Sequence, residues 1–291
     1  MLIQETIRHD IGKIFPQLKD NIKGEESNKF ENALGEKIIV EITENPSETT
    51  KMLQKVLDGN ENAATALASE IHKVLEVDEE LKFDDFEIEA ELGIWIDPID
   101  ATQEYISGKE LLSEVPGIFQ SGLQCATVLI GVYDIESGIP VLGIVNQPFA
   151  NELTSRIFFG VAIGSFRHSN VEEKAVREPA DRISILSSSE SLKSSSFTSV
   201  FAAGAGYKSL KVIEGDADIY FLSKASTFKW DTCGPQAILR ALGGDILDMK
   251  KSIKERKGVG LTYLRDEPSS NEGGIIAYRK VEDFEKLLGE M

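Results

Sequence analysis

The sequence predicts an α/β (α+β) fold arranged as a layered sandwich, and three observations carry that prediction. From Gly93 a helical pattern gives way to strands, with "LQCATVLIGVYD" and "GIPVLGIVNQPF" flanking the turn residues Glu136, Ser137 and Gly138 as a long hairpin. Further on, strands and helices alternate, an order that favours stacked layers. The chain shows no internal repeat and no long linker. It therefore reads as one continuous unit with two packed halves, residues 1–150 and 151–291, meeting at a soft boundary near Asn151.

The elements follow in order. The first segment, to about Asn21, starts as a helix and is broken by "IFPQ". "NIKGEESNKF" is a turn carrying the paired acids Glu25 and Glu26. "PSETTKMLQKVLDGNENAATALASEIHKVL" has apolar residues at helical spacing and splits into two helices at Asp58-Gly59-Asn60, with Ser47 as the first cap. "LGIWI" is a short buried strand, "RIFFGVAIGSFR" another, and "VREPADRISILSSSE" ends on one. "GAGYKSLKVIEG" reads as a helix, "ADIYFLS" as a strand, and "TCGPQAILRALGG" as a helix stopped by Gly243-Gly244. "DILDM" and "GGIIAYR" are strands, and "VEDFEKLLGEM" is a terminal helix.

Composition narrows the function classes. The 291 residues, 41% hydrophobic and 27% charged, can bury a sizeable core. No window approaches the ~20 apolar residues of a membrane span, and the amino terminus lacks the apolar core of a secretory signal. Two cysteines and three scattered histidines disfavour both a disulfide framework and a Cys/His metal site, and fit a reducing, cytoplasmic compartment. A net charge of −18, from 49 acids against 31 bases, disfavours nucleic acid as a partner. An anionic small substrate remains compatible if cations mediate the contact. Acidic runs such as "EVDEELKFDDFEIEAE" read as a solvated face.

Chemistry concentrates in "WIDPIDATQEY". Asp97 ends a strand, Pro98 turns the chain out of the sheet, and Asp100 is placed to cap a helix over "ATQEYI". The unpaired amides at such a helix start suit a phosphate. Two carboxylates beside it would repel that phosphate unless hard cations lay between, and oxygen-rich acid clusters suit Mg2+. On this stretch alone, a strand end and a helix cap account for both acids. "FKWDTCGPQAILRALGG" repeats the pattern, with Asp231 at a cap position and Trp230 as core. If these acids and Glu25-Glu26 converge, they make a multi-carboxylate metal centre. In "AAGAGYKSL", Gly204 and Gly206 let backbone amides approach an anion and Lys208 adds charge. It does not match a P-loop, and a glycine-rich turn entering a helix accounts for it equally.

"WIDPIDATQEY" and "WDTCGPQAILRALGG" together resemble the two signatures of the lithium-sensitive, magnesium-dependent phosphomonoesterase superfamily, which includes the inositol monophosphatases. Further matching stretches ("GEESN", "LGEKI", "KVLDGNENAATALA", "GIFQSGLQCATVLIGVYD", "NQPF", "AAGAGYKSL", "TFKWD") extend the resemblance over roughly residues 2–279. It implies the layered αβαβα sandwich of that superfamily, without most of its amino-terminal helices. It also implies two or three Mg2+ ions held by Glu25, Glu26, Asp97, the Ile99 carbonyl, Asp100 and Asp231. Ala101 and Thr102 would cradle the scissile phosphate through their amides, beside Asp100, and Thr102 would orient the attacking water. Gly204, Ala205, Lys208 and Ser226, with Ser189 as a further candidate, would hold the rest of an inositol phosphate. Direct attack by water needs no enzyme nucleophile, in keeping with the lack of a convincing Cys/His or Ser/His pair.

The implied reaction is removal of the 1-phosphate from inositol 1,4-bisphosphate and inositol 1,3,4-trisphosphate by a monomeric, lithium-inhibited enzyme. The alternatives are a 3′(2′),5′-bisphosphate nucleotidase and a non-catalytic inositol phosphate-binding protein. Several departures bear on that choice. The family's aspartate that polarises the threonine matched by Thr102 would fall, by the match of "LIQETI", immediately before Met1, so low activity or a truncated start is expected. Ala101 stands where the signature has glycine or serine. Ser191 stands where a lysine is expected, with Lys193 nearby, and the loops at 150–183 and 193–199 look short. Thr232 and Pro235 resemble the related nucleotidases.

Overall fold

The computed structural model describes residues 1–74, 90–151, 154–172, 174, 181–187 and 190–291. Ser189 and most of the acidic run beginning at Glu76 lie outside the described residues. The chain forms two compact units, Met1–Ala90 and Glu91–Met291.

In the first unit, α1 (Leu2–Ile14) is followed by a 3-10 turn at Pro16–Asn21 and a short strand β1 (Ile22–Gly24). Strands β2 (Lys29–Glu31) and β3 (Lys37–Ile39) pair antiparallel. Helices α2 (Pro46–Val56) and α3 (Glu61–Ile71) form a hairpin over Leu53, Ala64 and Ala68. The first cap differs from expectation. Asn45, not Ser47, is the N-cap: its side chain accepts from the Ser47 amide at 3.0 Å, and Pro46 takes the first helical position, where a missing N–H costs nothing.

The second unit begins with β4 (Leu92–Asp100) and continues through α4 (Thr102–Ser107), β5 (Leu111–Leu112) and β6 (Phe119–Ser121). The expected hairpin is β7 (Thr127–Asp134) and β8 (Pro140–Asn151), then β9 (Thr154–Ile163) and β10 (Phe166–Ser169). Asn151, where the two halves were expected to meet, is the last residue of β8. Strands β4, β7, β8, β9 and β10 are neighbours in that order, all antiparallel. Along β7 alternate residues Thr127, Leu129, Gly131 and Tyr133 are buried, the period-2 signature of a strand with one face on the core.

A second sheet contains β11 (Ile183–Leu186), β12 (Thr198–Phe201), β13 (Ile219–Leu222), β14 (Asp245–Asp248) and β15 (Ile275–Tyr278), in the order β12-β11-β13-β15-β14. Between the two sheets lie α5 (Ala205–Glu214) and α6 (Lys229–Ala241). Outside the second sheet, α7 (Met249–Glu255) and α8 (Val281–Glu290) help form a separate apolar layer that includes Met249, Phe284, Leu287 and Leu288. The sequence pattern shows neither β12 nor α7: each is short, and burial against neighbours decides it. The layers are held by apolar burial, with Leu210, Val212, Ile213, Ile238 and Leu239 fully covered, each contributing about 1.5–3 kcal/mol in gross transfer terms.

Helix α6 sits unusually close to the sheet. A β-carbon on Gly143 or Gly131 would overlap the backbone of Gly234, and one on Gly234 would stand 2.6 Å from the Ile130 carbonyl. Glycine facing glycine lets the helix settle onto β7 and β8, and the first turn of α6, at Asp231, lies beside the end of β4 at Asp97 and Asp100. Both cysteines are free and buried, and burial pushes the Cys125 thiol up to about 12. Among the described residues no helix is long and apolar enough to cross a membrane.

Candidate metal centre

Asp97 and Asp100 come to one face of the sheet through a bulge. In the β4–β7 ladder Asp97 faces Leu129 and Asp100 faces Thr127, so three steps on one strand span two on the other. A regular strand would send residues three apart to opposite faces; the extra residue in Pro98-Ile99 restores them to the same one. The Asp97 carboxylate accepts from the Ile99 amide at 3.0 Å, closing the turn. The Ile99 carbonyl in turn accepts from the Thr102 hydroxyl at 2.9 Å.

Asp231 joins them from the first turn of α6. Ligand oxygens of Asp97, Asp100 and Asp231 all lie within 4.8 Å of one another, and the residues are 2%, 8% and 7% exposed. Three buried carboxylates this close repel strongly unless protonated or paired with positive charge. An all-oxygen, hard donor set at this spacing fits a divalent cation such as Mg2+ better than a transition metal that prefers nitrogen or sulfur.

Neither Asp100 nor Asp231 is the cap expected from sequence. The residue before α4 is Ala101, in the left-handed region at φ 62°, ψ 47°. Asp100 instead meets the start of a different helix: it accepts from the Ala205 amide at 3.2 Å and the Gly206 amide at 2.9 Å, at the beginning of α5. The anion approached by the glycine-rich turn is thus a carboxylate of the chain itself. Thr127 adds a hydroxyl donor to Asp100 at 3.3 Å. Asp231 is the third residue of α6 and reaches back to accept from the Phe228 amide at 2.7 Å. The capping logic was legible in sequence; which helix Asp100 serves depends on chain packing.

Burial raises the Asp100 pKa against the pull of Lys208 and the three hydrogen bonds. Burial also lowers Lys208 to about 8, against the opposing pull of Asp100. A bound divalent cation would supply the positive charge that favours the ionised form of Asp100. The Lys208 ammonium donates to the carbonyls of Gly204 at 2.6 Å and Ala202 at 3.3 Å, so it fixes the glycine turn as well as supplying charge. Gly204 has φ 74°, and a β-carbon there would stand 2.8 Å from the Cys125 carbonyl and 2.9 Å from Asp100 Oδ2.

The other residues expected at the site lie on separate segments of the chain. Ser226 is exposed in the segment before α6. Glu25 and Glu26 belong to the first unit, exposed in the turn after β1. The backbone of Glu26 is clamped by Gln4, whose side chain accepts from its amide at 3.0 Å and donates to its carbonyl at 2.7 Å. Sequence reasoning missed Thr127 and Phe228 as partners of the acids. Their contributions, a strand hydroxyl and a backbone amide, carry no residue-type signal.

The family model described as the inositol monophosphatase family matches residues 3–283. The inositol polyphosphate 1-phosphatase of Mus musculus is 40% identical over 331 residues, covering 100% of this chain and 84% of that protein. The 3′(2′),5′-bisphosphate nucleotidase 1 of Homo sapiens is 30% identical over 213 residues, covering 67% of this chain and 60% of that protein. Among solved structures, a staphylococcal inositol monophosphatase-1 soaked with lithium chloride as an inhibitory complex shares the fold. Its TM-score is 0.54 at 12% identity, over 98% of this chain and 77% of that one.

Proposed function

This chain belongs to the inositol monophosphatase family, and we propose that it is a phosphatase removing the 1-phosphate of inositol 1,4-bisphosphate and inositol 1,3,4-trisphosphate. The observation that carries the reading is the cluster of Asp97, Asp100 and Asp231 at one end of a sheet, in a chain with full-length likeness to a 1-phosphatase. The shorter and weaker likeness to the nucleotidase makes a nucleotide the second choice.

In this reading Asp97, Asp100 and Asp231 hold Mg2+, with the Ile99 carbonyl as a further oxygen. Glu25 and Glu26 enter through sequence resemblance alone. Divalent ions held there would activate water for attack and would offset the negative charge of the phosphoryl group and of the leaving oxygen. The chain's own residues supply position. Ala205, Gly206 and Thr127 fix the Asp100 carboxylate, and the Phe228 amide fixes Asp231. The Thr102 hydroxyl donates to the Ile99 carbonyl, which leaves its oxygen lone pairs to accept a hydrogen bond from the attacking water and so orient it. The amides of Ala101 and Thr102 receive the scissile phosphate; Gly204, Ala205, Lys208, Ser226 and Ser189 enter as substrate residues through sequence resemblance alone, since the Ala205 amide and the Lys208 ammonium are engaged within the chain. We extend the reading to two or three Mg2+ ions, inhibition by Li+, a cytoplasmic monomer and a part in inositol phosphate signalling.

Phosphate release from a panel of inositol 1,4-bisphosphate, inositol 1,3,4-trisphosphate, inositol 1-phosphate and adenosine 3′,5′-bisphosphate, with and without Mg2+, tests it. The expected outcome is Mg2+-dependent release with preference for the two inositol polyphosphates. Preference for the adenine nucleotide would replace the reading with the nucleotidase. Binding of inositol 1,4-bisphosphate without turnover would make the protein a non-catalytic binder.

A further inference from the structure

Asp231 is steered by a backbone amide, that of Phe228, at 2.7 Å. That N–H points at the carboxylate only while the peptide groups on both sides of Phe228 keep their orientation. The carbonyl of the preceding peptide, Thr227 O, accepts from the backbone N–H of Asn271 at 2.8 Å. The carbonyl of the following one, Phe228 O, accepts from the Asn271 side-chain amide at 3.1 Å, as well as from the Asp231 amide and the Thr232 hydroxyl, each at 3.1 Å.

Asn271 therefore grips both peptide groups that orient the donor. It is buried, and its side-chain nitrogen also lies 3.2 Å from the Thr227 hydroxyl and 3.3 Å from that of Thr232. The surrounding chain reinforces the grip: Phe228 pairs antiparallel with Ser270, and the Lys229 amide donates to the Ser269 carbonyl at 2.8 Å. Asn271 comes from a separate segment after α7, and nothing in the likeness motifs singled it out.

We propose that Asn271 is a positioning residue for the acid cluster, holding the Phe228 backbone so that Asp231 keeps the orientation that brings it within 4.8 Å of Asp97 and Asp100. The proposal rests on the reading of those three acids as a cation site. Groups that orient metal ligands without touching the metal typically change affinity by about 10–100-fold when removed.

The test is equilibrium dialysis of Mn2+, an oxygen-preferring stand-in for Mg2+, against the substrate-free full chain. Asn271→Ala should weaken Mn2+ binding by about tenfold or more. Where it does not fold, Asn271→Leu, which fills the space without a donor, takes its place. Ser252→Ala removes a buried hydroxyl that accepts from the Val259 amide at 3.0 Å, remote in sequence from the acids. It should lower the melting temperature and leave Mn2+ binding unchanged. Asp231→Asn is the reference. If Asp231→Asn weakens Mn2+ binding and the Asn271 variant does not, the positioning role is overturned and the acid cluster stands. If Ser252→Ala weakens binding as much as the Asn271 variant, the effect is general destabilisation and the role is again overturned. If Asp231→Asn binds Mn2+ like the unmodified chain, the cation-site reading falls, and the proposal with it.

Discussion

The Gly206 amide donates to Oδ2 of Asp100 at 2.9 Å, across two segments more than a hundred residues apart in the chain. The approach leaves no room for a side chain: a β-carbon on Gly206 would overlap the Thr127 hydroxyl and stand 2.8 Å from a Leu129 methyl. Asp100, Thr127 and Gly206 are thus fitted to one another, and glycine is required for space.

Gly206→Ala should therefore destabilise the protein by about 1–3 kcal/mol through overpacking and weaken divalent-cation binding at the same time. Urea unfolding and Mn2+ dialysis would measure the two effects. A variant with wild-type values for both would mean that β7 and α5 can separate without cost.

Ala101 is in the left-handed region, where its β-carbon crowds the backbone. Ala101→Gly should raise stability by about 0.5–1 kcal/mol, the relief of strain outweighing the greater freedom of glycine in the unfolded chain. Thermal or urea unfolding would detect it. A loss of stability would show that the alanine methyl makes a packing contact worth more than the strain.

Asp97→Asn keeps the size of the side chain and can still accept from the Ile99 amide, but it removes a charge from the cluster. Mg2+-dependent phosphate release should fall by at least two orders of magnitude if the charge is needed to hold the cation, in line with losses of about 10²–10³ for single electrostatic groups. Calorimetric titration with Mg2+ should show weakened binding. Unchanged Mg2+ affinity would remove Asp97 from the ligand set.

A pH effect is expected far from the acids, at the carboxy-terminal helix. The Glu290 carboxylate accepts from the hydroxyls of Ser194, Ser195 and Ser196, which hold its pKa down to about 2 from an ordinary 4.5. A depressed folded-state value means that this contribution to stability is present above the unfolded pKa and is lost as pH falls through the folded one. The melting-temperature difference between the wild type and Glu290→Gln should be full at pH 6 and shrink between about pH 4.5 and 2. A difference that stays constant over that interval would show that the serines do not stabilise the charged form.

The strands of the hairpin, the two helices around Asp58-Gly59-Asn60, and the helices starting near Gly204 and Lys229 were all legible, because each has an apolar period and a glycine or capping residue at its ends. Of the candidate centre, Asp97, Asp100 and Asp231 were legible as acids at element ends. Their assignments as caps were not all right. Local sequence offers Asp100 the helix directly after it, whereas the folded chain gives it the amides of Ala205 and Gly206. Asn271 was invisible for a related reason: a buried asparagine that satisfies distant carbonyls has no periodicity and no motif.

By itself, the sequence determined the family, the layered α/β class and the identity of the clustered acids, since apolar periodicity and short signatures are local properties of the chain. Tertiary structure alone decided that Asp97 and Asp100 share a face, because that depends on one extra residue in the β4–β7 ladder. It also decided that Asp231 arrives beside them, through a helix laid on the glycines of β7 and β8. Side-chain direction and the distance between packed layers are set by contacts between segments far apart in the chain, which no local pattern encodes.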